Sequence, residues 1–302
     1  MIYFMIPMYN EAANLPVLLA SLLQWTLRCG EHCHLIAVDD GSTDDTAEIL
    51  RGFDGLPTTV VRHRSNLGVA SAFESGFRAW SELSVGTCDL LVTLEADNTS
   101  SLSILKEMVE RARAGFDLVL ASCYAPGGTI VGTNFVRTSL SFCANLILRC
   151  TPGMPGVCTF SSFYRVYRGS FLRRAMAAYG DRMIEETGFV CVVELLLKFG
   201  LVGARICEVP LRLDGAQRKG ASKMKVTRTI RGYLHLFLRA ATGSVAKPRA
   251  EAQVSGIITD GSGTLRLGRG AHSRTDESQV IPVSECLERA TTSASDSIGS
   301  QV

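Results

Sequence analysis

Short apolar runs alternate with longer segments of helical periodicity along the amino-terminal half of the chain. The runs are rich in Val, Ile and Leu, and the segments between them place apolar residues at three- and four-residue spacing. The predicted strands are Ile2 to Ile6, His34 to Val38, Thr58 to Val61, Leu90 to Leu94 and Asp117 to Ala121. The predicted crossover helices are Asn14 to Leu27, Asp44 to Phe53, Gly68 to Leu83 and Ser101 to Ala114. This rhythm predicts an α/β fold, in which helices flank a mostly parallel sheet.

Polar clusters follow three of the predicted strands. PMYNE follows the first strand, DDGSTD the second and EADNTS the fourth. Because ligands of such sheets bind at the carboxyl ends of the strands, we expect three loops from distant parts of the sequence to converge on one cleft. Each cluster alone is also typical of an ordinary turn, since Asp, Asn, Ser and Gly favour caps and turns. Their coincidence indicates a binding site.

Two of these clusters supply closely spaced carboxylates. In the triplet Glu95, Ala96 and Asp97, directly after LLVTL, the two acidic groups can hold a hard divalent cation such as Mg²⁺ or Mn²⁺. Asp39 or Asp40 can hydrogen-bond a nucleobase edge or ribose hydroxyls, and the sequence leaves open which of the two does so. Taken alone, each acidic cluster is as readily a turn or a helix cap. Together they predict a site for a nucleotide and a metal ion.

Composition narrows the range of functions. The 302 residues, 46% of them hydrophobic, can bury one sizeable core, and the formal net charge of +2 is too small to favour nucleic acid as a partner. The ten cysteines form no C-x2-C pair. The irregular cluster from Cys29 to His34 is therefore a weak zinc candidate, and a reduced cytoplasmic protein is expected.

No targeting or membrane-spanning segment is predicted. The opening MIYFMIP lacks a basic region and breaks at Pro7, so it indicates a buried strand. No apolar window reaches the roughly 18 residues of a transmembrane helix, so any membrane contact is expected to be peripheral. No G-x-G-x-x-G follows the first strand, which argues against a dinucleotide-binding domain. From about Ser244 the periodicity disappears, which predicts a domain over residues 1–243 and a mostly disordered tail over 244–302.

The motifs PMYNE, VDDGSTD, NLGVASAFESGF, EAD, SFYRVYR and EVPL…RKGASKM occur in this order between Met1 and Gly243. In this ordered set the chain resembles the dolichol-phosphate mannose synthases and related family 2 glycosyltransferases. The resemblance implies a GT-A fold, with a Rossmann-like sheet, and a metal-dependent, inverting transfer of a sugar from a nucleotide sugar to a polyprenyl phosphate. GDP-mannose is the expected donor.

The resemblance also implies roles for individual residues. Pro7, Tyr9 and Glu11 would line the nucleotide pocket. Asp97 would be the main metal ligand, and Glu95 matches the first Asp of the usual D-x-D. Three basic residues would approach the diphosphate or the acceptor phosphate, a task that guanidinium and ammonium groups suit. They are Arg137, in a mobile acceptor loop, and Arg218 and Lys223, in RKGASK.

Four positions depart from the family pattern. Glu95 replaces an Asp, Thr99 stands where a metal-binding Gln is usual, Cys123 replaces a loop Arg, and Val190 replaces a basic residue. The phosphate site thereby loses one or two positive charges. Two alternatives to the expected reaction follow: a UDP-sugar transferase acting on a saccharide or natural-product hydroxyl, and a non-catalytic relative that binds nucleotide sugars. A hydroxyl acceptor would need a carboxylate base, for which Glu185 or Glu186 is the candidate.

Two segments have the pattern of helices that lie on a membrane. From Lys225 to Ala241, apolar residues share one helical face and basic residues lie mostly off it. The same pattern would arise if the helix packed on its own domain. Thr138 to Leu148 is a second candidate, and a lipid acceptor would make both useful. The resemblance is to forms without transmembrane helices, for which a membrane-anchoring partner is expected.

Overall fold

The computed structural model describes residues 1–132, 156–219, 226–245 and 247–248, with side chains left out at 226–228 and 230. These residues all fall in one compact unit, Met1–Gly256. Their strands are β1 (Ile2–Met8), β2 (Cys33–Asp39), β3 (Thr58–Arg62), β4 (Leu90–Thr93), β5 (Leu118–Ser122), β6 (Thr129–Val131), β7 (Arg165–Arg168), β8 (Ile206–Pro210) and β9 (Arg212–Asp214). Their helices are α1 (Leu15–Cys29), α2 (Thr46–Arg51), α3 (Val69–Leu83), α4 (Leu105–Arg113), α5 (Gly169–Tyr179), α6 (Val190–Leu201) and α7 (Val226–Ala241). Short 3₁₀ turns occupy Leu102–Ile104, Gly180–Arg182 and Gly215–Gln217.

Seven strands form one sheet in the order β3-β2-β1-β4-β7-β5-β8. All neighbours in it are parallel except β7, which runs antiparallel to both β4 and β5. The predicted mostly parallel sheet is therefore confirmed. A second sheet pairs β6 with β9.

The core lies on both faces of the large sheet, as a parallel sheet covered by helices requires. On one face, α3 and α6 cover side chains such as Met5, Val38 and Tyr167. On the other, α1 and α4 cover Phe4, Leu35 and Val92. Along β1 adjacent residues thus point to opposite helical layers, which explains why this strand is apolar at nearly every position.

The described residues do not include all the predicted elements. Two candidate site residues, Arg137 and Lys223, lie outside the described residues. So do the predicted helix from Thr138 to Leu148 and all of the predicted tail beyond Pro248. Among the described residues, no helix combines the length and the apolar character that crossing a membrane requires.

Candidate active site

The ends of β1, β2 and β3 lie side by side. Met8 pairs with Asp39, and Asp39 pairs with Arg62. Beyond the strands, the Asn10 amide donates to Ser42 Oγ over 2.9 Å, and the Thr43 amide donates to Asn10 Oδ1 over 2.8 Å. Asn10 has a φ of 52°, a left-handed conformation that Asn tolerates better than most residues. The PMYNE and DDGSTD loops are thereby joined, as predicted, at one edge of the sheet.

A cavity of about 400 Å³ opens at this edge, between the ends of β2 and β3. Its lining residues are Gly41, Ser42, Thr43, Arg62, His63 and Arg64. Gly41 has a φ of 71°, and a Cβ there would come within 2.3 Å of the Ser65 carbonyl carbon. The close approach of the two loops that shape the cavity therefore requires glycine at this position.

Asp39 and Asp40, both buried, make different contacts. Asp39 Oδ1 accepts from the Ser42 amide over 2.8 Å, and Oδ2 lies 3.1 Å from Arg62 Nε in an ion pair. Oδ2 has no partner of hydrogen-bond geometry among the described residues. Asp40 instead accepts from His63 Nδ1 and from the amides of Leu67 and Gly68 over 2.7 to 2.9 Å. Asp40 thus anchors the chain that enters α3, whereas Asp39 Oδ2 is held by its ion pair with Arg62, a residue that lines the cavity.

The Glu95 to Asp97 triplet follows β4, the neighbour of β1. Asp97 Oδ1 accepts from both the amide and the hydroxyl of Thr99, over 3.1 and 2.6 Å. Glu95 Oε2 accepts from Ser100 Oγ over 3.2 Å. Burial first, and then the negative charge of Asp97, raise the pKa of Glu95 to about 7. A cation bound between the two carboxylates would favour the ionised form of Glu95.

Arg218 lies against this triplet. Its Nε donates to Asp97 Oδ2 over 2.7 Å, and its Nη2 also contacts Oδ2. The second sheet brings it there, because the Asp214 amide at the end of β9 donates to the Thr99 carbonyl over 3.0 Å. β9 and the turn after it therefore place Arg218 beside Asp97. The approach of Arg218 to a phosphate stays a prediction.

Comparison with known proteins shows the family of this chain. Residues 3–168 match the family described as Glycosyl transferase family 2. The chain belongs to this family. It is 30% identical over 227 residues to the polyprenol monophosphomannose synthase of Mycolicibacterium smegmatis. The alignment covers 72% of this chain and 79% of the synthase. It is 31% identical over 223 residues to the undecaprenyl-phosphate mannosyltransferase of Micrococcus luteus, over 72% and 85% of the two chains.

A solved structure shares the fold. Glucosyl-3-phosphoglycerate synthase from Mycobacterium tuberculosis, in complex with Mn²⁺, UDP-glucose and phosphoglyceric acid, is similar with a TM-score of 0.56 at 17% identity. The similarity covers 83% of this chain and 81% of that one. The predicted GT-A fold is therefore confirmed. The predicted glycosyltransferase class is confirmed by the family match and the relatives described above.

Two of the departures from the family pattern have visible consequences. Thr99 orients Asp97 through two hydrogen bonds, a role within the protein that the sequence did not suggest. Cys123 is half-buried, and burial, with smaller contributions from Glu95 and Glu208, raises the pKa of its thiol to about 11. A neutral thiol therefore stands near the acidic triplet of this family 2 enzyme.

The candidate bases Glu185 and Glu186 are held in ion pairs. Lys198 Nζ lies 3.0 Å from Glu185 and 2.8 Å from Glu194, and Arg239 Nη1 lies 2.5 Å from Glu186. Burial acts to raise the pKa of Glu185, but the hydrogen bonds and charges of Lys198 and Arg182 together outweigh it, so the pKa is lowered. A carboxylate held in this way is a weak base.

One part of the site was not among the residues that the sequence predicted at the ends of strands. Arg62, His63 and Arg64 line the cavity, and they stand directly after a predicted strand, in VVRHR. Because ligands of such sheets bind at the carboxyl ends of the strands, the end of the third predicted strand is the signal that indicates these three residues. In the described part of the chain, no three His, Cys, Asp or Glu side chains form a metal-binding group, the Cys29 to His34 cluster included.

Proposed function

We propose that this glycosyltransferase moves a sugar from a nucleoside-diphosphate sugar to a polyprenyl phosphate, with inversion at the anomeric carbon, and that GDP-mannose is the first donor to test. The observation that carries the proposal is the meeting of Glu95, Asp97 and Arg218 at the carboxyl edge of the sheet. The names of the two relatives, both lipid-phosphate mannosyltransferases, support the choice of acceptor and sugar.

The nucleotide would bind along the ends of β1 to β3. The base would enter the cavity of about 400 Å³, and Asp39 Oδ2 would accept from a base edge or ribose hydroxyl once Arg62, half-exposed, turns away from it. Pro7 and Glu11 are half-buried at the same edge, and the Glu11 amide is fixed by Thr46 Oγ1 over 2.9 Å. The roles of Pro7, Tyr9, Glu11 and Ala96 remain predictions.

The diphosphate would lie over the acidic triplet. Glu95 and Asp97 are oxygen donors of the type that Mg²⁺ or Mn²⁺ prefers, and the raised pKa of Glu95 fits a site completed by a cation. Such an ion would supply electrostatic stabilisation of the leaving diphosphate. Arg218 contributes a fixed positive charge at the same place, and Thr99 holds Asp97 in one orientation.

A phosphate acceptor fits the rest of the geometry better than a hydroxyl does. A phosphate oxygen is ionised at neutral pH, so attack needs positioning and charge neutralisation more than a general base. The two candidate bases, Glu185 and Glu186, are occupied by Lys198 and Arg239. This pairing argues against the hydroxyl-acceptor alternative.

The proposal includes contact with a membrane surface through α7. Leu236 on this helix is fully buried, and Tyr233 and Ala240 pack against the core. Leu234 and Leu238, one helical turn apart, are 56% and 55% exposed. The helix therefore packs on its own domain and also presents an apolar pair outward, so the two explanations for its pattern are not exclusive. A membrane-anchoring partner stays a prediction.

The test is turnover of a panel of GDP- and UDP-sugars with Mg²⁺ or Mn²⁺, with and without a short polyprenyl phosphate in detergent. We expect lipid-dependent transfer, and a fall in turnover of about 10²-fold or more in Asp97→Asn, because charge stabilisation is lost. Asp54→Asn, an exposed acid near the opposite end of β3, is the matched control and should be fully active. Full activity of Asp97→Asn, or transfer only to hydroxyl acceptors, would refute the proposal.

A further inference from the structure

Asn14 occupies the position just before α1, where an Asn side chain usually caps the helix by accepting from the first backbone amides. Here it makes no such bond. The side chain, 2% exposed, instead contacts a segment 205 residues away: Lys219 N donates to Asn14 Oδ1 over 3.0 Å, and Asn14 Nδ2 donates to the Lys219 carbonyl over 3.1 Å. One amide thus holds both main-chain groups of one residue.

The remaining polar groups of Asn14 join two further loops. Asn14 Nδ2 also donates its second hydrogen to Oε2 of Glu11, in the PMYNE loop, with 2.6 Å between the nitrogen and the oxygen. Its main-chain carbonyl accepts from Asn98 Nδ2 over 2.9 Å, and Asn98 has the left-handed φ of 62° immediately after Asp97. A buried amide that uses both of its donors and its acceptor oxygen is costly to replace, because the partners it loses stay unpaired.

These contacts converge on the ion pair between Arg218 and Asp97. Lys219, which Asn14 holds, is the next residue after Arg218, and Asn98, which it also holds, is the next after Asp97. Both partners of the ion pair are therefore fixed, one residue away, to the same residue: Arg218 through the Asn14 side chain and Asp97 through the Asn14 main-chain carbonyl. A helix cap alone would require neither bond.

We infer that Asn14 is a positioning residue of the transferase site: its side chain clamps the main chain at Lys219 so that the Arg218 guanidinium is held beside the Glu95 to Asp97 triplet. Asn14 acts through Arg218 and touches no reacting atom. The inference rests on the proposed function for the role of Arg218, but the clamp itself can be measured without turnover.

The first measurement is amide hydrogen exchange at Lys219 by NMR, in the full chain. We expect Asn14→Ala to speed exchange there by about tenfold or more, because the acceptor of this amide is lost. Leu19→Ala, which removes buried methyl groups from the same helix, is the control for general loosening and should leave Lys219 slow relative to its neighbours. Unchanged exchange in Asn14→Ala would overturn the inference.

The second measurement is a double-mutant cycle of Asn14→Ala with Arg218→Ala, read as kcat/KM and as affinity for GDP or UDP with Mn²⁺. We expect Asn14→Ala to cost about 10- to 100-fold in the native background and less than about threefold beside Arg218→Ala, because coupled residues are not additive. Equal losses in both backgrounds would indicate a merely structural Asn14 and overturn the inference.

Asn14→Ser, which removes both amide donors but leaves a hydroxyl that can cap the helix, replaces Asn14→Ala in both measurements if that variant does not fold. Should the chain transfer no sugar, the proposed function fails, while Lys219 exchange and the nucleotide-affinity cycle still decide whether the clamp exists.

Discussion

Asp39 and Asp40 are adjacent acids whose contacts assign them different tasks. Asp40 accepts two amides and His63, and it is 4% exposed. In Asp40→Asn, one oxygen becomes an NH₂ group facing a buried donor, so we expect a loss of about 1–3 kcal/mol in the free energy of unfolding. Urea denaturation measures it. The affinity of the folded Asp40→Asn protein for the nucleotide should change little.

Asp39→Asn is the matched variant and should behave in the opposite way. The Asn oxygen can still accept from the Ser42 amide, and Arg62, whose side chain is 53% exposed, can turn toward water. We expect a stability change below about 1 kcal/mol and about tenfold weaker nucleotide binding by calorimetry, because a carboxylate acceptor is lost. The reverse pattern in the two variants would assign the nucleotide contact to Asp40.

The sequence predicts these residues only as a set. It places Asp39, Asp40, Glu95 and Asp97 at strand ends, because strand ends follow from periodicity and parallel strands end at one edge. Which acid faces the cavity depends on contacts such as Leu67 to Asp40 that no local pattern encodes. Asn14 was missed for a related reason, since an Asn before an apolar helix is already explained as a cap.

At the scale of elements, the five predicted strands and four crossover helices are present within a few residues of their expected bounds. The strands β6, β8 and β9 were not predicted, and neither was β7, which lies between β4 and β5 in the large sheet. β7 has only four residues, RVYR, and begins with a charged one, so it gave no apolar run. Arg165 is nevertheless fully buried, because its guanidinium donates to the carbonyls of Ser162, Phe160 and Val192. Only tertiary structure supplies those acceptors.

The exposed apolar pair on α7 supports a prediction about the element as a whole. We expect Leu234→Gln with Leu238→Gln to weaken sedimentation with anionic lipid vesicles by about tenfold or more, because two leucines no longer enter the interface. Turnover of a short acceptor in detergent should persist. Leu201→Gln is the matched control, since Leu201 is 48% exposed at the end of α6. Equal vesicle binding by all three proteins would contradict the membrane role of α7.

At the scale of the whole molecule, the predicted domain boundary at residue 243 is two residues short of a buried side chain. Val245 is 6% exposed and belongs to the core cluster, and the Ser244 amide donates to the Arg239 carbonyl over 2.7 Å. Hydrophobic periodicity could not include Val245, because a single apolar residue after a helix forms no pattern. The tail that begins further on stays a prediction from composition.

Two truncations test where the folded unit ends. A chain ending at Pro248 should keep the melting temperature of the full chain within about 2 °C, because the removed residues have the composition of a disordered segment. A chain ending at Gly243 loses the buried Val245 side chain, worth about 1.5–2 kcal/mol, and should melt about 3–8 °C lower by circular dichroism. Val245→Ala in the full chain separates the side chain from the chain end and should reproduce most of that loss. A large drop already at Pro248 would show that residues 249–302 contribute to the folded unit.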